Sequence, residues 1–383
     1  MKTCDWIVVG GGITGATLAY ELAKVGLAVL LLEQSATPQN ATRFSYGGLG
    51  YWSATTPLTR QLCTEAIARY HILSLELDAD IQFRELNLVL TVDTASDPEA
   101  TATLYAGCAI PPRLISVAEA CELEPLLNPQ AISGALTAKH GHIHPGKTTQ
   151  ALKQAFLRAG GEIQISPVWQ ILPNIVKTTN EVYHGANIVV CAGGLGRQLL
   201  KSSGIPIKIY FTHGEIVETP PVNLQLRTLV SPANLHRFQL EAISTQFEHL
   251  WDEPGNEPVS PILDAGAIQF ADGSLRLGQI SRILTDTQAQ VDAAASEKWL
   301  RESVGQILPA LKNLPGTWHH CLVPFSGDRL PLIGAIPRFE NIHIFSGFSN
   351  SLTIVPPLAK RFADFVTGKE DEIITQLSPQ RFL

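Results

Sequence analysis

The sequence predicts an α/β fold in which a discontinuous parallel-sheet domain carries an inserted, strand-rich α+β domain. Three observations predict it. An apolar strand runs into a glycine-rich turn at the start of the chain, another buried strand ends in a glycine pair near residue 193, and strands with long polar loops fill the stretch from residue 211 to 319. At 383 residues the chain is too long for one ordinary core and suits two domains.

The first element is Asp5-Trp-Ile-Val-Val-Gly10, a short run rich in β-branched residues. It ends in Gly10-Gly11-Gly12-Ile13-Thr14-Gly15, so the segment reads as strand, turn and helix. Gly10 permits the tight turn, Gly12 lets the backbone approach a pyrophosphate, and Gly15 lets the helix pack closely on the strand. The helix start offers unpaired N–H groups and a positive dipole end to phosphates. Leu18, Ala19, Leu22 and Ala23 then form an apolar stripe, and Gly26 ends the helix. A second apolar strand, residues 28–32, finishes at Glu33, a carboxylate placed to accept hydrogen bonds from a ribose diol. Strand, glycines, helix, strand and acid in this register predict a Rossmann-type dinucleotide site. The pattern alone leaves NAD and FAD open. Its position at the N-terminus, with no second nucleotide fingerprint, points to FAD.

Thr55-Thr56-Pro57 reads as a helix start, continued at helical spacing by Leu58, Leu62, Ala66, Tyr70 and Leu73. Residues 81–92 alternate as a strand, and a less regular stretch follows to about residue 139, broken at Pro111-Pro112. Residues 148–159 read as a helix stopped by Gly160-Gly161, and residues 187–192 as a buried strand. The expected partition puts 1–75, 140–210 and 320–383 in the nucleotide domain, with 76–139 and 211–319 in the substrate domain.

A net charge of −7 argues against nucleic acid or an acidic membrane surface as the main partner. No apolar run approaches the roughly 18 residues of a spanning helix. Because Trp6 to Val9 already reads as a buried strand, no leader is expected and folding is expected to start almost at Met1. Six cysteines without CxxC spacing indicate neither a disulfide framework nor a zinc ribbon, which fits a reducing cytoplasm. His140, His142 and His144 alternate, but no nearby Asp, Glu or Cys completes a ligand set, so no metal is expected.

Further segments carry a resemblance to a family. These are Gly141-His-Ile-His-Pro145, Ile188-Val-Val-Cys-Ala-Gly-Gly194, Leu275-Arg-Leu-Gly278, the run from Pro324 through Asp328 to Leu330-Pro-Leu-Ile-Gly334, and Asn341-Ile-His-Ile-Phe-Ser-Gly347-Phe-Ser. In this order they resemble the D-amino acid oxidase, glycine oxidase and sarcosine oxidase family of FAD-dependent oxidoreductases over nearly the whole chain. The resemblance implies an FAD-binding Rossmann-type domain and a small-molecule amine-type substrate. It implies FAD contacts at Gly10, Gly12, Ile13, Thr14, Gly15, Glu33, Gln34, Thr42, Arg43, Gly47 and Gly48. It extends them to Ala192, Gly193, Gly194, Cys321, Asp328, Gly347, Phe348, Ser349, Asn350, Ser351 and Leu352. Residues 347–351 would aim N–H groups at the pyrimidine edge of the flavin.

The implied chemistry moves a hydride from the carbon bearing nitrogen to flavin N5; water hydrolyses the imine, and oxygen reoxidises the flavin to give hydrogen peroxide. No catalytic triad is expected, because the reaction needs positioning and a neutral amine lone pair. Arg43 would lie beside the flavin, and Arg276 replaces the lysine of a Leu-Lys-Leu-Gly pattern in sarcosine oxidases. Cys321 lies seven residues before Asp328, the spacing of the cysteine that links flavin covalently in that subgroup. The substrate anchors depart from the family. Val323 stands where glycine and D-amino acid oxidases carry a carboxylate-binding arginine, and Tyr46 and Ile354 stand where sarcosine oxidases carry an arginine and a lysine. A buried carboxylate without a cation is costly, so a free amino acid is not expected to bind in the usual way. The alternatives are an FAD-dependent dehydrogenase of a hydroxy acid and a flavin-binding protein without turnover.

Overall fold

The computed structural model describes residues 4–382. The expectation about Met1 lies outside the described residues. The strand Cys4–Val9 occupies the middle of a parallel sheet, between Val182–Val190 and Val29–Glu33. Phe339–Ser346 and Glu162–Ile165 extend the sheet on the two sides, and Leu332–Ile336 pairs antiparallel with Phe339–Ser346. Trp6 and Val8 pack into one apolar cluster, Ile7 and Val9 into another. A strand buried on both faces must be apolar throughout, which is why it reads as an unbroken hydrophobic run.

Helices Ile13–Lys24, Pro57–Leu77, Pro145–Arg158 and Ser351–Val366 share the first of these clusters. Pro57–Leu77 begins as the sequence predicts, with Thr56 accepting from the Thr59 amide in a capping box. Pro145–Arg158 starts ahead of the expected 148–159 because His144 caps it, its Nδ1 accepting from the Lys147 amide at 3.2 Å. In Ser351–Val366 the missing N–H of Pro356 leaves the Leu352 carbonyl without its partner four residues on. The hydroxyl of the buried Tyr70 donates to that carbonyl instead.

The larger sheet runs in the order Thr317–Ser326, Ile209–Glu218, Leu275–Arg282, Ile262–Gln269, Leu229–Pro232, Arg84–Asp93, Ile132–His142 and Gly48–Leu49. Leu229–Pro232 and Arg84–Asp93 are parallel; the other neighbours along this order are antiparallel. Leu275 and Leu277 turn into a core shared with Leu300 and Val304 of the helix Ala293–Ile307. Alternation therefore sends Arg276 to the opposite face.

Two expectations are corrected. Residues 93–139 are not irregular: they hold the helix Val117–Leu123, the strand Arg113–Ile115 and most of Ile132–His142. Gly134, Ala135, Ala138 and Gly141 weaken the strand signal of that last segment, and its pairing with Arg84–Asp93 supplies what propensity lacks. Residues 211–319 contain, besides strands, the helices His236–Ser244 and Ala293–Ile307. The latter is capped by Asp292, which accepts from the Ala295 amide at 3.0 Å. Among the described residues no helix is long and apolar enough to cross a membrane.

Candidate active site

The glycine turn joins the ends of the parallel strands. A Cβ at Gly15 would lie 1.8 Å from the Gly10 carbonyl oxygen, so only glycine lets this helix sit on its strand. Gly12, by contrast, would meet nothing closer than Thr42 Oγ1 at 3.2 Å, and it supplies no side-chain cap to the helix Ile13–Lys24. Thr42 Oγ1 accepts from the Ile13 amide at 3.0 Å; Thr14 follows in the same first turn, whose N–H groups face the open side. The Glu33 carboxylate is buried and fixed by the Gly11 and Gln34 amides, both at 2.8 Å. Gln34 itself is exposed.

Beside this turn the Cys191 amide donates to the Val9 carbonyl at 2.8 Å, which sets Ala192, Gly193 and Gly194 next to Gly10. A Cβ at Gly193 would meet no atom within 4 Å. Across the sheet, Gly347, Phe348, Ser349 and Asn350 lead into Ser351 and Leu352 at the start of the helix Ser351–Val366, and Asn350 Nδ2 reaches the Gly50 carbonyl at 3.5 Å. That contact brings the closing segment beside Gly47 and Gly48. The sequence thus brings three glycine-rich turns to one end of the parallel sheet, leaving open backbone, a helix start without a side-chain cap from Gly12 and a fixed carboxylate. These features fit the phosphates and ribose of FAD.

From Thr42 the chain crosses to the polar face of the larger sheet. Arg43 grips Glu218 with both Nη atoms at 2.7 Å. Phe44 stacks on His319 with ring centroids 4.4 Å apart. The Ser45 carbonyl accepts from Arg276, and the Tyr46 hydroxyl donates to the Gly278 carbonyl at 2.6 Å. Glu218 and Arg276 sit opposite each other in register, with Arg276 Nη2 3.4 Å from Glu218 Oε1. Arg276 is 2 % exposed and lies over the Phe270 ring, 4.4 Å from its centroid. Burial lowers its pKa to about 10 against the support of Glu218, so it remains a cation at neutral pH. Burial also opposes ionisation of Glu218, but the hydrogen bonds and charge of Arg43, then Arg276, bring its carboxyl below the usual range. Two arginines against one carboxylate leave a net positive charge on this face.

Cys321 and Val323 project from the same side of Thr317–Ser326. Burial pushes the Cys321 thiol up to about 12, which holds it protonated and disfavours the thiolate that a flavin thioether would require. Asp328 accepts from Arg381, whose Nε is 2.7 Å from Oδ2, and the carbonyl of the next residue, Arg329, accepts from Ser349 Oγ at 3.2 Å. Ile354 lies in the helical apolar cluster with Phe348, Val355 and Leu358. The three alternating histidines take separate tasks: His140 Nδ1 accepts from Trp52 Nε1 at 3.0 Å, His142 Nε2 meets the Tyr46 carbonyl at 3.0 Å, and His144 caps its helix. Among the described residues no cluster of His, Cys, Asp and Glu is arranged to hold a metal.

Sequence reasoning missed Glu218, the residue that joins Arg43 to Arg276. Its signal is cross-strand: an acid facing an arginine is visible only once Ile209–Glu218 is paired with Leu275–Arg282.

The dinucleotide cradle facing a cationic sheet surface defines a flavin-dependent oxidoreductase. Comparison with known proteins makes the assignment specific. The chain belongs to the DAO family of FAD dependent oxidoreductases, which matches residues 5–365. It is 24% identical to a glycine oxidase of Geobacillus kaustophilus, covering 96% of this chain and 93% of that protein. It is 28% identical to the mitochondrial dimethylglycine dehydrogenase of Rattus norvegicus, over 99% of this chain and 45% of that longer protein. The crystal structure of glycine oxidase from Geobacillus kaustophilus shares the fold over 100% of both chains, with a TM-score of 0.80 at 21% identity.

Proposed function

We propose that this FAD-dependent oxidoreductase oxidises the C–N bond of a small primary or secondary amine and that oxygen reoxidises it. The observation that carries the reading is the Arg43–Glu218–Arg276 cluster on the sheet face below the dinucleotide loop. Bound FAD supplies the acceptor for the hydride, the amine becomes an imine, and water then converts the imine to a carbonyl and a free amine.

The residues of this chain position and stabilise. The net positive charge left by Arg43, Glu218 and Arg276 offsets negative charge that builds up during reduction and during the first electron transfer to oxygen. In a site with little water such a fixed charge acts more strongly than in bulk. The same cluster favours an amine over a hydroxy acid. A neutral amine releases hydride by using its own lone pair, whereas an alcohol must also lose its O–H proton to a base. Glu218, gripped by two cations and more acidic than usual, is a weak base. The remaining site positions are assigned to FAD in keeping with the cradle: Glu33 to the adenosine ribose, the backbone at Gly12 to the pyrophosphate, and residues 347–351 to the ring.

The test is an anaerobic screen of the FAD-loaded protein against amines, amino acids and hydroxy acids, followed at about 450 nm, the usual region of oxidised flavin absorption. Bleaching by amines is expected. Bleaching by hydroxy acids alone would make the protein a hydroxy acid dehydrogenase, and no bleaching by any of them would make it a flavin-binding protein without turnover.

A further inference from the structure

We infer that the His140 imidazole donates a hydrogen bond from Nε2 to a carbonyl oxygen on the pyrimidine side of the bound flavin, and thereby makes the ring easier to reduce. The inference rests on the FAD assignment and on the placement of the ring at residues 347–351, and it holds for any substrate. His140 lies on the strand Ile132–His142 and is 8 % exposed. Its Nδ1 faces Trp52 Nε1 at 3.0 Å. An indole N–H can only donate, so Nδ1 must offer its lone pair and the neutral ring carries its proton on Nε2. Burial lowers the pKa to about 4, which keeps the ring neutral at physiological pH. Nε2 is therefore a fixed N–H donor, yet among the described residues it has no hydrogen-bond partner. A buried donor left without an acceptor is destabilising, and an incoming acceptor removes the deficit.

The surroundings of Nε2 pick out the acceptor. A Cβ at Gly48 would lie 2.6 Å from Nε2, so glycine at this position is what leaves the front of the imidazole clear. A Cβ at Gly50 would come 3.9 Å from His140 Cε1 and 3.5 Å from Asn350 Nδ2, which sets the ring in the wedge between the glycine loop and the segment leading into Ser351–Val366. Asn350 is already engaged: its Oδ1 accepts from Thr353 Oγ1 at 2.7 Å and its Nδ2 reaches the Gly50 carbonyl. Leu136 and Ala138, which share the His140 face of the strand, pack in an apolar cluster with Trp52 and Tyr105. Against such neighbours a lone water finds too few polar partners to replace a ligand. Of the acceptors on a flavin, a pyrimidine carbonyl has the two lone pairs that suit both this donor and the first-turn amides of Ser351–Val366, which begin beside the same wedge. The bond strengthens as negative charge builds on the ring, so it favours the reduced state.

The experiment measures the two-electron reduction potential of the FAD-loaded protein by photoreduction against a reference dye, a readout that needs no substrate. His140→Leu removes the donor and is expected to shift the reduction equilibrium at least tenfold toward oxidised flavin, a fall of about 30 mV. His140→Gln, whose amide can accept from Trp52 and still donate, is expected to lose less. Trp52→Phe leaves the imidazole in place but no longer forces its proton onto Nε2, and the potential is expected to fall by less than in His140→Leu. If His140→Leu does not fold, the fall in Trp52→Phe carries the test. An unchanged potential in His140→Leu or in Trp52→Phe, or equal falls in His140→Leu and His140→Gln, would overturn the inference. Failure of amines to bleach the flavin would remove the amine-oxidising reading while leaving the dependence of the potential on His140 standing.

Discussion

Gly12 is the residue at which the cofactor assignment is most exposed to a single change. Its φ of −69° suits any L-residue, so a substitution there acts through space rather than backbone strain. A valine side chain would occupy the open side where the pyrophosphate approaches, and Gly12→Val is expected to fold but purify with little FAD; normal flavin content would contradict the cradle assignment. Arg276 is argued on charge. Arg276→Met removes a buried cation beside the proposed flavin position, so reoxidation by oxygen should slow at least about tenfold, equivalent to roughly 1.4 kcal/mol. Stopped-flow mixing of the photoreduced proteins with matched oxygen measures it, and equal rates would move Arg276 away from the oxygen reaction. The variant also frees Glu218 from one of its two arginines, while the bidentate Arg43 contact keeps the loop docked.

At the scale of elements, local patterns were readable wherever one strand or helix set its own environment. Residues 5–33 carried their whole structure in glycine placement and apolar runs, and the helix after Thr56 announced itself through its cap. Ile132–His142 and Ala293–Ile307 were missed. The first depends on a neighbouring strand for its register, and the second is an amphipathic helix inside a region dominated by strands. The site divides in the same way: the glycine turns were legible, whereas Glu218 acquires meaning only through a partner 175 residues away. We propose the two-domain division at 1–75, 140–210 and 320–383 against 76–139 and 211–319. Each strand of the parallel sheet falls in the first set, while Gly48–Leu49 and most of Thr317–Ser326 cross from it into the larger sheet. The helix Ser351–Val366 supplies the prediction at this scale. Tyr70→Phe leaves the Leu352 carbonyl buried and unpaired above Pro356, a loss of about 1–3 kcal/mol. A urea midpoint lowered without a change in slope would show it, and an unchanged midpoint would mean that the carbonyl finds another donor.

For the whole molecule, buried histidines link stability to pH. Burial lowers His140 to about 4 and His142 to about 3, with the charge of Arg84 adding to the effect at His142. The unfolded chain protonates such residues near pH 6.5 and the folded one only well below that, so between these values the unfolded state binds more protons. Stability is therefore complete above about pH 6.5 and falls as the pH drops toward 4. Thermal melts across this range should show the decline, and His140→Gln should flatten it; the same slope in both proteins would assign the decline to other groups. The proposed account is that FAD on this chain takes a hydride from the carbon bearing nitrogen. Its most direct test is a single anaerobic turnover of the FAD-loaded protein with an amine that bleaches it, counting products against flavin. The account predicts one carbonyl compound and one ammonia or alkylamine for each flavin reduced, whereas flavin bleaching with the C–N bond intact in all recovered material would contradict it.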